Sequence, residues 1–354
     1  MNKLFTYVMA VFASLLPSFA AAQEAVGFDE RINQIFADYT GWYVSFIFAP
    51  LPGTNFSWIA LWLVVGAVVF TVYFGAIQVK GFWHSIQLVR GDYSDPDDAG
   101  EVSHFQALAT ALSGTVGLGN IAGVAVAVSI GGPGATFWMV VAGLFGMATK
   151  FTECTLGVKY RNEFPDGHVS GGPMYYIVKG FSERGLPLGG FMAVLFSIFT
   201  ILGALGGGNM FQANQAHAQL AGVLGDYPGW ITGVILAGVT FAVIAGGLKS
   251  IARVTEKIVP FMGVFYVLVS VLILIINWDM IGWAFGQIFM GAFTGLGVVG
   301  GFTGALIQGF RRAAFSNEAG IGSAAIAHSA VRTKEPVTEG YVALLEPFID
   351  TVVI

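Results

Sequence analysis

One stretch in the first third of the chain brings glycine, hydroxyl and amide groups into an apolar segment. The run 113–123 contains four glycines, and it also carries Ser113, Thr115 and Asn120 within the apolar stretch 104–130. Glycine lowers helix propensity by about 1 kcal/mol per residue relative to alanine, so the helix is predicted to open here. Backbone that opens at membrane depth must be buried in protein or line a cavity.

An opened helix offers two kinds of backbone ligand at one place. Carbonyls that end its first half, near Ser113 to Val116, would face a cation, and amides that begin its second half, near Gly119 to Ile121, would face a carboxylate. Gly117 and Gly119 would let a ligand approach the backbone closely. The predicted chemistry is therefore binding of a cation together with a zwitterion. Close helix packing through these glycines is the alternative.

The composition is that of a membrane protein with several spans. Of the 354 residues, 55% are hydrophobic and 10% are charged, whereas soluble domains carry about 25% charged residues. The mean hydropathy is +0.74. The net charge of −5 argues against nucleic acid as a partner, and the single cysteine, Cys154, excludes an internal disulfide and a cysteine-based zinc site. The sequence indicates no obligate protein partner.

The N-terminal part is predicted to differ from the rest. Residues 1–22 have a basic start, an apolar run and three alanines before Gln23, a pattern typical of a signal peptide, with an uncleaved helix as the alternative. Residues 23–56 are predicted to form a periplasmic or interfacial segment. Residues 57–354 are predicted to form the transmembrane domain.

Seven spanning helices are predicted, and an eighth begins near 341. The seven ranges are 57–79, 104–130, 134–158, 189–220, 229–247, 256–277 and 300–330. The stretch 278–299 is predicted to lie on the outer face without crossing. This assignment places eleven Lys and Arg residues of the connections inside and only Arg31 outside, as the positive-inside rule requires.

A second segment late in the chain resembles the first. The run 315–327, FSNEAGIGSAAIA, places Gly320 and Gly322 before an alanine-rich helix, as Gly117 and Gly119 stand before theirs. Four predicted spans lie between the two segments, which would make them antiparallel. That arrangement is the inverted repeat of many secondary transporters, whose paired broken helices meet at the membrane midplane. Chance similarity between two glycine-rich segments is the alternative.

The run 115–120 TVGLGN resembles the unwound first core helix of sodium-coupled transporters with an inverted five-helix repeat. Four motifs together resemble, more narrowly, the alanine or glycine:cation (sodium:alanine) symporter family of the amino acid-polyamine-cation superfamily. They are 119–125 GNIAGVA, 171–177 GGPMYYI, 315–320 FSNEAG and 345–351 LEPFIDT. The motifs are collinear and extend over most of the chain.

The resemblance implies an all-α polytopic membrane protein with an inverted five-helix repeat, the LeuT-like transporter fold, and one extra N-terminal helix. The first repeat would cover about 104–277, and the second would begin near 300 and be incomplete. Because the chain stops at Ile354 inside the predicted seventh core helix, the sequence is expected to be truncated there.

The resemblance also implies the activity: import of a small neutral amino acid, alanine or glycine, by symport with Na⁺ in the inner membrane of a bacterial cell. The partners would be that substrate, Na⁺ and the lipid bilayer. The predicted Na⁺ ligands are the backbone carbonyls of Ser113 and Val116. The predicted substrate contacts are Thr115, Gly117, Gly119, Asn120, Gln212, Phe315, Ser316, Asn317 and Gly320.

Other charged residues leave alternatives open. Glu318 lies at predicted membrane depth, so it would serve proton coupling or pair with Arg311 or Arg312. Lys150 and Glu153 are spaced to pair on one helix. Proton-coupled or exchange transport of another small amino acid is the first alternative function. A channel is disfavoured because two short breaks suit an occluded site better than a filter, and an intramembrane hydrolase because no HExxH motif occurs.

Overall fold

The computed structural model describes residues 28–54, 56–294 and 301–354, and it separates into two compact units, 1–59 and 60–354. The predicted signal segment 1–22 lies outside the described residues. In the first unit, helix α1 spans Phe28–Ile47 and exposes its aromatic side chains, among them Trp42 and Phe46. The interfacial position of residues 23–56 stays a prediction.

The described part of the remaining chain is built almost entirely from helices. In chain order the α-helices are α2 (Trp58–Tyr73), α3 (Ile77–Lys80), α4 (Phe82–Arg90), α5 (His104–Thr115), α6 (Leu118–Gly131), α7 (Gly134–Lys159), α8 (Pro173–Glu183), α9 (Gly189–Gly203), α10 (Phe211–Leu224), α11 (Gly229–Ile244), α12 (Gly247–Ile276), α13 (Ile281–Phe293), α14 (Gly301–Asn317), α15 (Ser323–His328) and α16 (Pro336–Pro347). Two π-helices, Ala204–Met210 and Phe348–Val353, join α9 to α10 and follow α16. A small antiparallel pair, β1 (Asn162–Glu163) and β2 (Val169–Ser170), precedes α8.

Three continuous helices of the described chain are long and apolar enough to cross a membrane. They are α7 with 26 residues, Gly189–Leu224 with 36 and α12 with 30, and the bent pair α5 and α6 together would make a fourth span. A span needs about 20 apolar residues. The described part of the stretch 278–299 contains α13, which has 13 residues. That this stretch does not cross the membrane stays a prediction.

Two predicted boundaries were wrong. The span predicted at 57–79 ends at Tyr73, because Gly75 and Ala76 adopt left-handed backbone conformations that terminate the helix. The span predicted at 256–277 begins nine residues earlier, at Gly247, and continues through Pro260.

Helix α7 forms the centre of the described core. It packs against α14, α15 and α16, and its contact with α16 is so close that a Cβ at Gly340 would lie 2.1 Å from Thr155 Oγ1. In the most apolar 18-residue part of α7, 56% of the residues are buried. The same fraction is 11% for Gly189–Leu224 and 6% for α12. The block formed by α5 to α7 and α14 to α16 therefore positions the residues discussed below.

Candidate functional site

The first break lies between α5 and α6. Helix α5 begins with a reciprocal capping box, in which Ser103 Oγ accepts from the amide of Gln106 and Gln106 Oε1 accepts from the amide of Ser103. It ends at Thr115, and the two helices meet at an angle of 44°. The break leaves the last carbonyls of α5 without helical partners, because the amide of Gly117 donates instead to Asn120 Oδ1 at 2.8 Å.

The second break lies between α14 and α15. Three residues there have positive φ, Glu318 at 52°, Gly320 at 93° and Gly322 at 92°, so the backbone cannot continue as a helix. The amide of Gly320 donates to the buried carboxylate of Glu153, and Ser323 Oγ donates to Glu318. The partner that the structure gives to Glu318 is therefore a hydroxyl of its own segment.

Asp350 connects the two breaks. Its side chain is buried, and it lies in the π-helix that follows α16. From the first break, Asn120 Nδ2 donates to Asp350 Oδ1 at 3.1 Å and to its carbonyl at 2.5 Å. From the second break, Ser316 Oγ donates to Asp350 Oδ2 at 2.8 Å. The neighbouring residue Thr351 donates through its Oγ1 to the same oxygen at 2.8 Å. We call these four residues the Asp350 cluster.

The two broken helices also touch directly at Gly119. A Cβ at this position would lie 2.9 Å from the Cα of Ser316 and 3.1 Å from its Oγ. Glycine was predicted here to admit a ligand close to the backbone. Gly119 lies within α6 and its φ is not positive, so the backbone conformation does not require glycine. The structure requires glycine because the second broken helix passes against it.

Next to the Asp350 cluster lies a cavity of about 140 Å³. Its lining includes Asn120, Thr136, Ser316, Asp350 and Thr351, so one side is polar, and the remainder is apolar. One water occupies about 30 Å³ of liquid volume, so the cavity has room for more than a single water.

The other predicted site residues differ in where they lie. Gln212, at the start of α10, faces the first break, since a Cβ at Gly117 would be 3.3 Å from Gln212 Oε1. Asn317 is buried and donates to Thr351 Oγ1 at 3.0 Å. Phe315 is 47% exposed, so it does not cover the site.

The structure also defines the surroundings of four other predicted ligands. The hydroxyl of Ser113 donates to the carbonyl of Thr110 at 2.6 Å and is exposed. The side chain of Val116 packs into an apolar cluster, so this residue could offer only its backbone carbonyl, as predicted. The Thr115 hydroxyl turns back to Leu112 O at 3.5 Å. The amide of Gly320 is not open to a substrate, because it donates to Glu153.

Comparison with known proteins identifies the family. The profile of the sodium:alanine symporter family matches residues 43–354. The chain belongs to the sodium:alanine symporter family. It is 45% identical over 294 residues to the sodium/alanine symporter AgcS of Methanococcus maripaludis, covering 82% of this chain and 64% of that protein. It is 35% identical over 307 residues to the amino-acid carrier protein AlsT of Bacillus subtilis, covering 85% and 63%.

A third relative is the uncharacterized transporter YaaJ of Escherichia coli, which is 40% identical over 265 residues, covering 72% of this chain and 54% of that protein. The chain thus spans less than two thirds of the length of these relatives. The predicted family is confirmed, and it is a family of transporters and not of enzymes.

The glycine-rich runs predicted both breaks, but neither Asp350 nor a second polar cluster was among the predicted site residues. Lys150 Nζ contacts Glu346 Oε1 at 3.0 Å, and both side chains are fully buried. His104 Nδ1 lies 2.5 Å from Glu339 Oε2, and His328 Nδ1 lies 2.5 Å from Glu339 Oε1. His328 Nε2 is 3.8 Å from Glu346 Oε2, which is longer than a hydrogen bond. We call these five residues the Glu346 cluster.

One interpretation of the sequence is thereby corrected. Lys150 and Glu153 are three residues apart on α7 but do not pair, because Lys150 turns to Glu346 of α16 and Glu153 turns to Gly320. A signal for both clusters was available. Glu339, Glu346 and Asp350 recur at intervals of seven and four residues, which places three carboxylates on one helical face. Among the described residues, no group of three His, Cys, Asp or Glu side chains is arranged to hold a metal ion.

Proposed function

We propose that the complete protein imports a small neutral amino acid, alanine or glycine, by symport with Na⁺. The observation that carries the proposal is the buried carboxylate of Asp350, held between two broken helices by Asn120 and Ser316. A carboxylate inside a membrane domain is costly to bury and marks an ion or substrate site. The names of AgcS and AlsT, which refer to sodium/alanine symport and amino-acid carriage, support the same activity.

Na⁺ would bind at the Asp350 cluster. Small hard cations prefer oxygen ligands, and Asp350, Ser316 and Thr351 place carboxylate and hydroxyl oxygens together at the edge of the cavity. The carbonyls of Ser113 and Val116 at the end of α5 would supply further oxygens, because the break frees them from helical bonds. Binding the cation would disrupt the present bonds of Asp350, so loading and rearrangement of the two breaks would be coupled.

The substrate would lie beside Gly117. The amides of Leu118 and Gly119 begin α6, where the positive end of the helix dipole favours a carboxylate, whereas those of Asn120 and Ile121 donate to Gly117 O at 3.2 Å. Gln212 approaches the same place from α10. A π-helix ends two residues before Gln212, and π-helical segments frequently occur at functional sites, which supports a substrate contact for Gln212. Phe315 would close over the substrate after a movement from its exposed position.

The overall arrangement would be the LeuT-like inverted repeat in a bacterial inner membrane, with residues 23–56 on the periplasmic side. The two breaks support the repeat, since each interrupts a helix and both contact Asp350. Proton-coupled or exchange transport is the alternative. A channel is disfavoured, because two short breaks that touch at Gly119 and Ser316 suit an occluded site better than a continuous pore.

Uptake of radioactive alanine by the complete gene product in proteoliposomes tests the proposal. We expect uptake to require an inward Na⁺ gradient and to be abolished in Asp350→Asn, which keeps the shape of the side chain but removes its charge. The matched control is Asp279→Asn, at an exposed carboxylate, which should transport normally. Uptake that persists without Na⁺ and follows a proton gradient would contradict Na⁺ symport. Substrate-independent Na⁺ current would indicate a channel.

A further inference from the structure

A second cavity of about 130 Å³ lies between the two broken helices and α16. Five of its lining residues carry oxygen in their side chains. They are Thr110, Thr115, Glu318, Ser323 and Glu346. The cavity therefore brings two carboxylates and three hydroxyls together in the core, and it shares no lining residue with the cavity beside Asp350.

One carboxylate oxygen at this cavity has no partner. Glu346 is fully buried, and its Oε1 accepts from Lys150, but its Oε2 has no hydrogen bond within the described structure. The nearest ring nitrogen, His328 Nε2, is 3.8 Å away and is likewise unpaired. A buried, unpaired carboxylate oxygen costs free energy, and such groups are normally satisfied by a ligand, an ion or water.

The charges around the cavity are also unbalanced. Five carboxylates occupy this part of the core, namely Glu153, Glu318, Glu339, Glu346 and Asp350. Within the described ranges, the positive groups seen in ion pairs with them are Lys150, His104 and His328. Even with both histidines protonated, three positive groups oppose five carboxylates, which leaves two negative charges when all the carboxylates are ionised. One cation at Asp350 would remove only one of them.

We propose that the cavity between Glu318 and Glu346 binds a second monovalent cation, Na⁺, in addition to the one at the Asp350 cluster. Glu346 Oε2 and the Glu318 carboxylate would neutralise it, and the hydroxyls of Thr110 and Ser323 would complete an oxygen shell of the kind that hard cations prefer. The choice of Na⁺ rests on the proposed function, whereas the site itself rests on the cavity and its unpaired oxygen.

This second site would respond to the movement of both breaks. Thr115 ends α5 and Ser323 begins α15, so any change in the angle of either broken helix changes the lining of the cavity. Occupancy would therefore favour one arrangement of the helices over another, and the transporter would carry or hold one cation more than the Asp350 cluster alone provides.

Equilibrium binding of radioactive sodium to the purified complete protein tests the proposal, without relying on transport. The wild-type protein should bind one Na⁺ more per molecule than Glu318→Gln. Asp350→Asn should lose a different Na⁺, and the double variant should lose both. Ser323→Ala, which removes one hydroxyl, should weaken the second site by about tenfold or less while keeping its count. The control Asp279→Asn should match the wild type.

Failure of the two proposals is distinguishable. If Glu318→Gln binds as much Na⁺ as the wild type while Asp350→Asn loses its only ion, the second site does not exist and the Asp350 assignment stands. If only Asp350→Asn retains full binding, the Asp350 assignment falls instead. Glu318→Gln that keeps its Na⁺ count but releases fewer protons in a pH titration would assign the cavity to a proton or water and overturn the proposal. Melting temperatures in choline chloride should stay within a few degrees of wild type, which separates lost binding from lost folding.

Discussion

Asp350 and Glu346 are four residues apart on one helical face, and each is the carboxylate at the centre of its cluster. The two buried carboxylates are stabilised by different kinds of partner. Asp350 accepts hydrogen bonds from neutral groups of Asn120, Ser316 and Thr351. Glu346 instead faces the full charge of Lys150 and leaves its second oxygen unpaired. Neutral donors can exchange places with a cation at small cost, whereas a charge partner that is removed leaves an uncompensated charge in the core.

The difference between the clusters predicts different roles. In the proposed transport cycle the Asp350 cluster would exchange partners, because each of its donors can form another hydrogen bond. The Glu346 cluster connects α7, α15 and α16 through opposite charges, so its pairs are part of the folded core. We therefore expect substitutions in the first cluster to change transport more than stability. In the second cluster, we expect loss of the positive partners Lys150, His104 or His328 to change stability more than transport.

The largest effect is expected from Lys150→Met. The variant leaves Glu346 without its charge partner in a fully buried position, and breaking a buried pair in this way costs about 3–5 kcal/mol. The melting temperature of the purified protein should fall strongly, and so should the yield in the membrane. Lys334→Met, at an exposed lysine paired with Asp98, is the matched control and should change neither.

The double variant Lys150→Met with Glu346→Met decides whether the cost comes from the unpaired charge. Replacing both members by apolar groups of similar size should recover much of the lost stability, because no charge remains buried alone. A double variant as unstable as Lys150→Met would show that packing at α7, and not charge, causes the loss, and the contrast between the two clusters would fail.

The next effect is expected from Gly119→Val, which separates the two broken helices at their contact. Its added Cβ would lie 2.9 Å from the Cα of Ser316, whose hydroxyl belongs to the Asp350 cluster. Overpacking of this kind costs about 1–3 kcal/mol. Alanine uptake should fall sharply while insertion into the membrane survives.

Gly238→Ala, in α11, is the matched control for that variant. A Cβ at Gly238 has no neighbour within 4 Å and the residue is exposed, so uptake should remain close to wild type. Normal substrate affinity in a well-inserted Gly119→Val protein would remove the contact between the two breaks from the mechanism. It would also favour simple helix packing as the reason for the glycines.

The first break could be predicted because its cause is local. Glycine density weakens the helix between Ser113 and Gly123 whatever surrounds it, and the structure opens the chain between Thr115 and Leu118. The family could likewise be predicted, because its motifs are long and collinear. Both inferences depend on residues that are close together in sequence.

The role of Asp350 could not be assigned in the same way, because it depends on contacts over long distances in sequence. Asn120 and Asp350 are 230 residues apart, and Lys150 and Glu346 are 196 apart. The spacing of Lys150 and Glu153 indicated a local pair, but α7 is surrounded by other helices, and each residue contacts a different one. The spacing of Glu339, Glu346 and Asp350 was visible in the sequence, but only the fold shows which residues face these carboxylates.

A smaller effect is expected from Gln212→Ala, which tests whether the substrate lies beside Gly117. If the Gln212 amide holds the substrate carboxylate, its removal should cost about 1.5–3 kcal/mol, or about ten- to a hundredfold in affinity. Gln215→Ala is the control, since Gln215 donates to Asn214 on its own helix. A lower melting temperature of the Gln212 variant with unchanged substrate Kd would assign Gln212 to helix packing and confine the site to the Asp350 cluster.

The smallest effect is expected from Ser113→Ala, which separates side-chain from backbone ligands at the end of α5. The Ser113 hydroxyl already donates to the carbonyl of Thr110, one turn earlier, and the residue is exposed, so its removal takes no oxygen from a cation that binds the backbone. The Na⁺ dependence of uptake should shift by less than about twofold, because exposed substitutions usually change free energies by no more than about 0.5 kcal/mol. Ser316→Ala is the informative comparison, because the Ser316 hydroxyl donates to Asp350. This change should raise the Na⁺ concentration needed for half-maximal uptake by about tenfold or more. Equal losses in the two variants would mean that the cation is held by hydroxyls on both helices. In that case the freed carbonyls of the first break would not be its ligands, and the distinction between a neutral, exchangeable cluster and a charged, structural one would have to include the end of α5.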